Sequence, residues 1–217
     1  MSTRASSGAS SRHLSVCEAA VNRILVRAPL AFIPLLLFAQ IALAADELKS
    51  GVFNPPRQAP EFSLRGSDGS GLKLSRYRGK VVALGFGYSS CPDVCPTTLA
   101  QLAEVRKKLG SAAKDFQVLY VTVDPERDSV ERLRQYVTAF DPSFIGATGT
   151  PDQLAEVRKA YGIFANKKPI EGSPTAYLIH HSSFIYLIDP EGKLRAMSPY
   201  GRQVDDVVSD VKSLMKK

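Results

Sequence analysis

The residues that could do chemistry are Cys91 and Cys95, four positions apart in the segment YSSCPDVCP. A thiolate is both a nucleophile and a soft metal ligand, so this pair could exchange disulfides or bind a metal ion. A disulfide between them would close a short loop, which restricts the unfolded chain less than a long loop does. The spacing therefore argues against a purely structural bridge and leaves redox chemistry and metal binding open.

The kind of metal follows from the kind of ligand. Two thiolates together with the imidazole of a histidine would make a soft set of ligands with a low coordination number, which suits copper and disfavours calcium and magnesium. Zinc would require a fourth ligand. Pro96 favours the first helical position, which predicts a helix beginning near Cys95 with Cys91 in the preceding loop. The positive end of that helix is expected to lower the pKa of at least one thiol.

The segments on either side of the cysteines predict how the fold positions them. Residues 81–88, VVALGFGY, form a continuous apolar run of the kind that makes a buried central strand. Apolar residues recur at helical spacing over residues 97–109, and residues 116–123 are a second strand candidate. This order predicts a βαβ unit with the cysteine pair at the carboxyl end of its first strand, where such sheets bind ligands.

The rest of the chain predicts a single α/β domain with a thioredoxin-like fold. We expect a central mixed sheet flanked by helices, with an N-terminal hairpin extension. The expected elements are the hairpin over residues 61–80, helices over 129–140 and 151–162, strands over 175–179, 183–189 and 193–198, and a final amphipathic helix over 204–214.

An apolar segment near the N-terminus predicts export. Residues 28–45 are apolar apart from Gln40 and follow an arginine-containing stretch, so residues 1–45 indicate an export signal cleaved after Ala44, or an uncleaved membrane anchor. The Ser- and Arg-rich residues 2–27 are also typical of a mitochondrial transit peptide. The predicted location is the periplasm, soluble or tethered to the inner membrane. The alternative is the mitochondrial inner membrane, facing the intermembrane space.

Composition predicts the domain boundary and excludes one class of partner. Residues 46–59 contain two adjacent prolines and little periodicity, which predicts a linker before a domain over residues 60–217. Of the net charge of +7, residues 1–44 supply +3, from four arginines against one glutamate, and the rest of the chain supplies +4. Basic and acidic residues alternate in the rest, as on solvated helices, so we expect no nucleic-acid partner. Cys17 precedes the apolar segment and is expected to be inert.

Three segments carry the two cysteines, the histidine and several acidic residues. They are GYSSCPDVCPTTL over residues 87–99, VTVDPERDS over 121–129 and HSSFIYLIDPEGKL over 181–194. In this order and at these separations they resemble the signature blocks of the Sco/SenC family of copper proteins. The resemblance covers about residues 58–216.

The resemblance implies a function as well as a fold. In that family the two motif cysteines and the histidine bind copper, which implies that Cys91, Cys95 and His181 bind Cu(I) or Cu(II) here. Family members are implicated in delivering copper to the binuclear CuA centre in subunit II of cytochrome c oxidase, or in reducing the cysteines of that centre. Another copper chaperone or a thiol reductase is a further expected partner.

The surroundings of the histidine bear on this assignment. His181 precedes the strand candidate over residues 183–189, a position where thioredoxin-like oxidoreductases resemble one another in carrying a cis-proline that faces the cysteine pair. Pro174 is the rival for that role, and in that case His181 would lie away from the site. His180 and Ser90 depart from the family pattern, which usually has aspartate and commonly histidine at these positions. We expect His180 to face solvent, with a competing ligand as the alternative.

The acidic residues of the signature blocks are expected to be structural. Asp93 is predicted to lie exposed in a turn, and Asp124 with its following proline predicts a turn after a strand. Asp128 and Ser129 together predict the cap of the next helix.

Two functions compete. The first is a copper metallochaperone, a binding protein and not a turnover enzyme, in which an oxidised cysteine pair would have to be reduced before copper could bind. The second is an exported thiol-disulfide oxidoreductase with Cys91 as nucleophile and Cys95 as resolving thiol. The wider spacing and the absence of tryptophan from the chain argue against the second, because the common thioredoxin motif has Trp just before its first cysteine.

Overall fold

The computed structural model describes residues 48–173 and 175–216. Within them the strands are β1 (Gly51–Gln58), β2 (Ser63–Gly66), β3 (Gly71–Lys73), β4 (Val81–Gly87), β5 (Phe116–Thr122), β6 (Ile145–Thr148), β7 (Ala165–Pro169), β8 (Tyr177–His181), β9 (Phe184–Ile188) and β10 (Lys193–Pro199). The α-helices are α1 (Val94–Leu109), α2 (Val130–Thr138), α3 (Pro151–Tyr161) and α4 (Val204–Met215), and short 3-10 helices cover Leu74–Tyr77 and Gly110–Asp115.

The main sheet is mixed, as the sequence predicts. Its strand order is β1-β10-β9-β4-β5-β6-β2-β3, with β4, β5 and β6 parallel and their other neighbours antiparallel. The predicted βαβ unit is β4-α1-β5, and the predicted N-terminal hairpin is β2 and β3. Strand β4 lies in the middle of the sheet, so its carboxyl end delivers the cysteine segment to the centre of the fold.

Burial explains why these segments form the centre. Every residue of β4 and β5 is buried, as expected for continuous apolar strands that are covered on both faces. Helix α4 packs against α1 and contacts β4, while α2 packs against β6. Each fully buried Val, Leu or Ile side chain contributes about 1.5–3 kcal/mol of transfer free energy. The strand that precedes Cys91 is therefore held rigidly on both sides.

The predicted linker over residues 46–59 is wrong for Gly51–Gln58, which form the edge strand β1 paired with β10. Two adjacent prolines cannot donate to a ladder, so they are tolerated on an edge strand or at a bulge. The register shifts between Val52 and Arg57, on either side of these prolines. The buried carboxylate of Asp210 on α4 also accepts hydrogen bonds from the backbone amides of Lys49 and Ser50.

The helix boundaries match their local signals. Ser129 caps α2 by accepting a hydrogen bond from the Arg132 amide, and Thr150 forms a capping box with Gln153 before α3. Helix α3 ends at Gly162, whose φ of 66° lies in the left-handed region that glycine adopts readily. These two helices confirm the predictions over residues 129–140 and 151–162.

Strands β7 and β8 form a separate antiparallel hairpin that ends at His181, which pairs with Ala165. Strand β7 escaped prediction because its ANKKP sequence is polar and has no apolar alternation. The predicted strands over residues 175–179 and 183–189 thus belong to different sheets, β8 to this hairpin and β9 to the main sheet.

The predicted targeting segment over residues 1–45 lies outside the described residues, as do Cys17 and Pro174. None of the helices in the described part of the chain combines the length and apolar character needed to cross a membrane.

Candidate metal centre

The structure brings together the three residues that the sequence singles out. One ligand atom from each of Cys91, Cys95 and His181 lies within 4.8 Å of the other two. The Cys95 Sγ and His181 Nε2 atoms are 3.3 Å apart. Cys91 lies in the loop after β4, Cys95 in the first turn of α1, and His181 at the end of β8. The site therefore depends on three elements that meet at one end of the sheet.

The start of α1 places the two thiols as predicted, to within one residue. The helix begins at Val94, so Cys91 lies in the loop and Cys95 in the first turn. The Cys95 side chain is buried, with 2% of its surface exposed, whereas Cys91 is partly exposed. Both are free thiols in this structure. The pair is thus asymmetric, with one inner sulfur and one that solvent or a partner can reach.

The two thiols differ in acidity. A hydrogen bond from Cys95, assisted by His181 and by the backbone amides of Asp93 and Cys95, lowers the pKa of Cys91 to about 4. The same interaction with Cys91, together with burial, raises the pKa of Cys95. The pair therefore loses its first proton easily and keeps its second, so Cys91 is a thiolate at neutral pH. The direction for Cys91 is the one that the sequence predicts, but its largest cause is the neighbouring thiol, and the backbone amides at the start of α1 contribute less.

The orientation of the His181 ring is fixed by the backbone. Its Nδ1 atom lies 2.9 Å from the carbonyl oxygen of Ser182, which can only accept a hydrogen bond. Nδ1 therefore donates to this carbonyl, and Nε2 is the ring atom that faces the sulfurs. The ring also packs edge-to-face with Tyr88, at 5.8 Å between centroids. The Tyr88 hydroxyl in turn accepts a hydrogen bond from the Ile179 amide at 3.1 Å, which ties β8 to the cysteine loop.

Asp128 holds the loop that carries Cys91. Its carboxylate is fully buried and accepts hydrogen bonds from the Ser89 amide at 3.1 Å and from the Ser89 and Thr122 hydroxyls. Arg132 Nε donates to the Ser89 hydroxyl at 3.0 Å. The predicted capping role therefore belongs to Ser129, while Asp128 joins residues 39 positions apart in sequence.

Asp124 holds the hairpin that carries His181. Its buried carboxylate pairs with Arg127 and accepts a hydrogen bond from the Tyr177 hydroxyl at 2.8 Å. The Arg127 guanidinium lies 3.8 Å from the centroid of the Tyr177 ring and donates to the Tyr177 carbonyl at 3.1 Å. Asp124 and Asp128 of the second signature block thus have structural roles, as the sequence predicts, although Asp128 is not itself the helix cap.

A small cavity of about 10 Å³, with room for one water-sized sphere, lies against Cys95 and His181. Its wall is mostly apolar and aromatic, built from Phe86, Val94, Tyr120, Phe184 and Ile185. The inner side of the site is therefore nearly dry, and its open side is formed by the partly exposed residues Cys91 and His181.

The two departures from the family pattern lie outside this cluster. His180 is exposed, and adjacent residues of a strand point to opposite faces, so it turns away when His181 faces the thiols. The solvent-facing interpretation holds, and the competing-ligand alternative is wrong. Ser90 and Asp93 are also exposed.

The chain is similar to known proteins over most of its length. The family model described as SCO1/SenC matches residues 53–216. This chain belongs to the SCO1/SenC family. A Bos taurus relative, named as a mitochondrial SCO2 homolog, is 33% identical over 157 residues, which cover 71% of this chain and 59% of that protein. The chain thus spans less than two-thirds of this relative.

Solved structures of the family share the fold. Copper-bound ScoI of Arabidopsis thaliana gives a TM-score of 0.67 at 32% identity, covering 73% of this chain and 99% of that chain. Apo Sco1 of Thermus thermophilus gives a TM-score of 0.69 at 36% identity, covering 77% and 97% respectively. The fold is thioredoxin-like, as the sequence predicts.

Proposed function

We propose that this SCO1/SenC protein is a copper metallochaperone. Cys91, Cys95 and His181 hold one copper ion, and the protein delivers copper to the CuA centre of cytochrome c oxidase or prepares the thiols of that centre. The observation that carries the proposal is the convergence of two sulfurs and an imidazole nitrogen within 4.8 Å. The copper-bound structure of the Arabidopsis thaliana relative supports the choice of metal.

The donor set fits copper. The two thiolates are soft ligands that suit Cu(I). The imidazole nitrogen makes the same set compatible with Cu(II). Among the described residues this cluster contains no fourth His, Cys, Asp or Glu, which a closed structural zinc site would need. Calcium and magnesium prefer oxygen ligands, which the cluster lacks.

The asymmetry of the site suits a cargo that must leave. Cys95 lies against the apolar wall, while Cys91 and His181 form the open side. A cysteine or histidine of a recipient can approach from that side and replace these ligands in turn. The protein's contribution is then to hold the metal, keep it out of bulk water and present it on one face.

Redox state controls whether the site can be loaded. An oxidised Cys91–Cys95 pair offers no thiolate, so a thiol reductase must reduce it before copper from a chaperone or the medium can bind. The expected recipient is the CuA domain of subunit II, in the periplasm or the mitochondrial intermembrane space. The name of the Bos taurus relative supports the mitochondrial alternative. Residues 28–45 would then provide the proposed tether.

A titration tests the binding step. The purified, reduced full-length protein is titrated with Cu(I) and with Cu(II), beside Cys91→Ala, Cys95→Ala and His181→Ala. His180→Ala is the matched control, because it removes the neighbouring exposed imidazole. One tight equivalent is expected, with a thiolate-to-copper charge-transfer band under Cu(II). Loss of binding in the cysteine variants and a changed band in His181→Ala alone would support the site, and no binding by the wild type would refute it.

A second assay separates delivery from thiol preparation. Copper-loaded protein is mixed with a reduced, metal-free CuA domain, and metal-free reduced protein is mixed with an oxidised CuA domain. Appearance of the CuA spectrum in the first mixture supports delivery. Loss of the disulfide in the second supports thiol reduction. If neither occurs, the proposed partner is wrong.

The second candidate, a thiol-disulfide oxidoreductase, is favoured by one observation. Cys91 is an accessible thiol whose pKa is lowered to about 4, and Cys95 behind it is buried, which is the arrangement of a nucleophile and a resolving thiol. This function predicts that disulfide reduction survives in His181→Ala. Copper binding lost without loss of reductase activity would favour it over the chaperone.

A further inference from the structure

The Tyr120 hydroxyl is a buried polar group without a use in the function described so far. Tyr120 lies on β5, and only 1% of its surface is exposed. Within the described residues its oxygen has no hydrogen-bond partner of ordinary geometry. A buried polar group left without a hydrogen-bond partner destabilises the folded protein. Such a group therefore calls for a physical explanation.

The Tyr120 hydroxyl lies close to the inner sulfur of the cysteine pair. A Cβ atom built on Gly87 would lie 1.8 Å from Tyr120 Oη and 2.8 Å from Cys95 Sγ. Tyr120 Oη and Cys95 Sγ therefore both lie beside the position of this Cβ, which the glycine leaves empty, and the two atoms are neighbours. Tyr120 also lines the small cavity beside Cys95 and His181. A phenolic hydroxyl can donate one hydrogen bond.

We propose that Tyr120 is a positioning residue whose hydroxyl donates a hydrogen bond to Cys95 Sγ and so stabilises the reduced cysteine pair over its disulfide. The hydroxyl proton rotates about the ring bond, so its direction adjusts to the sulfur once the two atoms come within hydrogen-bond range. In the reduced state Tyr120 donates to Cys95, and Cys95 donates to Cys91. Hydrogen bonds linked in this way strengthen one another.

This hydrogen bond influences the reduction of the Cys91–Cys95 disulfide. The S–S bond between Cys91 and Cys95 breaks, and two electrons and one proton enter the pair, leaving Cys91 as thiolate and Cys95 as thiol. Two molecules of reduced glutathione supply the electrons, forming one glutathione disulfide and releasing two protons, one of which Cys95 takes up. A disulfide sulfur is a weaker acceptor than a sulfur in the thiolate pair, so the hydrogen bond favours the product.

Tyr136 provides a matched control. Its hydroxyl oxygen is also buried without a partner in the described part of the chain, and its ring lies 6.3 Å from that of Tyr120. It does not line the cavity beside Cys95. Tyr120→Phe and Tyr136→Phe each remove one buried hydroxyl from the same aromatic cluster and keep the ring. Circular dichroism checks that both variants fold.

The test is an equilibrium titration of the metal-free full-length protein with glutathione buffers, with free thiols counted by alkylation and mass spectrometry. We expect Tyr120→Phe to lower the equilibrium constant for reduction about tenfold, which for two electrons is a potential about 30 mV more negative. Tyr136→Phe should stay within about twofold of wild type. A Tyr120→Phe constant within twofold of wild type would overturn the proposal, as would equal shifts in both variants.

A spectroscopic measurement provides a second readout, and this readout rests on the proposed copper function. A hydrogen bond to a ligating thiolate withdraws electron density from sulfur and raises the energy of charge transfer to Cu(II). Tyr120→Phe should therefore move the band to longer wavelength, while Tyr136→Phe leaves it in place. A protein that binds no copper would refute the proposed function and leave the glutathione result standing, so the two failures are distinguishable. An unmoved band in a copper-loaded Tyr120→Phe variant would contradict the hydrogen bond.

Discussion

Removal of the Asp128 carboxylate should destabilise the reduced protein strongly, because the group is fully buried and serves several donors at once. In Asp128→Ala the Ser89 amide, now 3.1 Å from a carboxylate oxygen, loses its acceptor and cannot rotate to another. The hydroxyls of Ser89 and Thr122 lose theirs as well. Each stranded buried donor costs about 1–3 kcal/mol, and the hydroxyls can partly compensate by rotation. We therefore expect a loss of about 3–5 kcal/mol in the free energy of unfolding.

Urea denaturation of the metal-free reduced protein measures this loss. The control is Asp93→Ala, which removes an exposed carboxylate two residues from Cys91 and should change stability by less than about 0.5 kcal/mol. Copper binding should also weaken in Asp128→Ala, because the loop after β4 is no longer fixed to β5. The proposed role of the Asp128 carboxylate is refuted if Asp128→Ala unfolds at the same urea concentration as Asp93→Ala.

Two further predictions concern the cysteine pair. Gly87→Ala should abolish copper binding, because its Cβ would lie 1.8 Å from the Tyr120 hydroxyl. The control Gly71→Ala should bind copper normally, because its Cβ would have no atom within 4 Å. Equal copper titrations of the two variants would contradict this prediction. Alkylation of Cys91 by iodoacetamide should be nearly independent of pH from about 5 to 8 in the reduced, metal-free protein, because its pKa is about 4. The pKa of Cys91 is lower in the folded protein than in the unfolded chain, where it is about 8.5. The Cys91 thiolate therefore stabilises the folded protein fully above about pH 8.5, and this contribution is lost as the pH falls to about 4. A rate that rises through pH 8–9 would show an ordinary thiol.

The central unit of the fold could be predicted because its signals are local. The apolar run of β4, the helical spacing of α1 and the apolar run of β5 each specify one element. The order of these elements along the chain then places the cysteines at the carboxyl end of β4. His181 could be assigned through the resemblance of its segment to a family block, since a single histidine carries no pattern of its own.

The supporting residues could not be predicted because their roles depend on distant contacts. Asp128 has the local sequence of a helix cap, and only the fold brings Ser89 against it. Tyr120 lies in an apolar strand, where an aromatic residue signals the core. Strand β1 could not be predicted because of its prolines, and β7 because of its lysines. Strands at the edges of sheets need little alternation of apolar and polar residues, so the usual strand pattern is missing from both.

The ligand set of bound copper is the most direct test of the account. X-ray absorption spectroscopy of the copper-loaded full-length protein should show two sulfur ligands and one imidazole nitrogen. The nitrogen contribution should disappear in His181→Ala and persist in His180→Ala. A wild-type spectrum with sulfur ligands alone, or loss of the nitrogen in His180→Ala, would contradict the assignment of Cys91, Cys95 and His181 as the copper site.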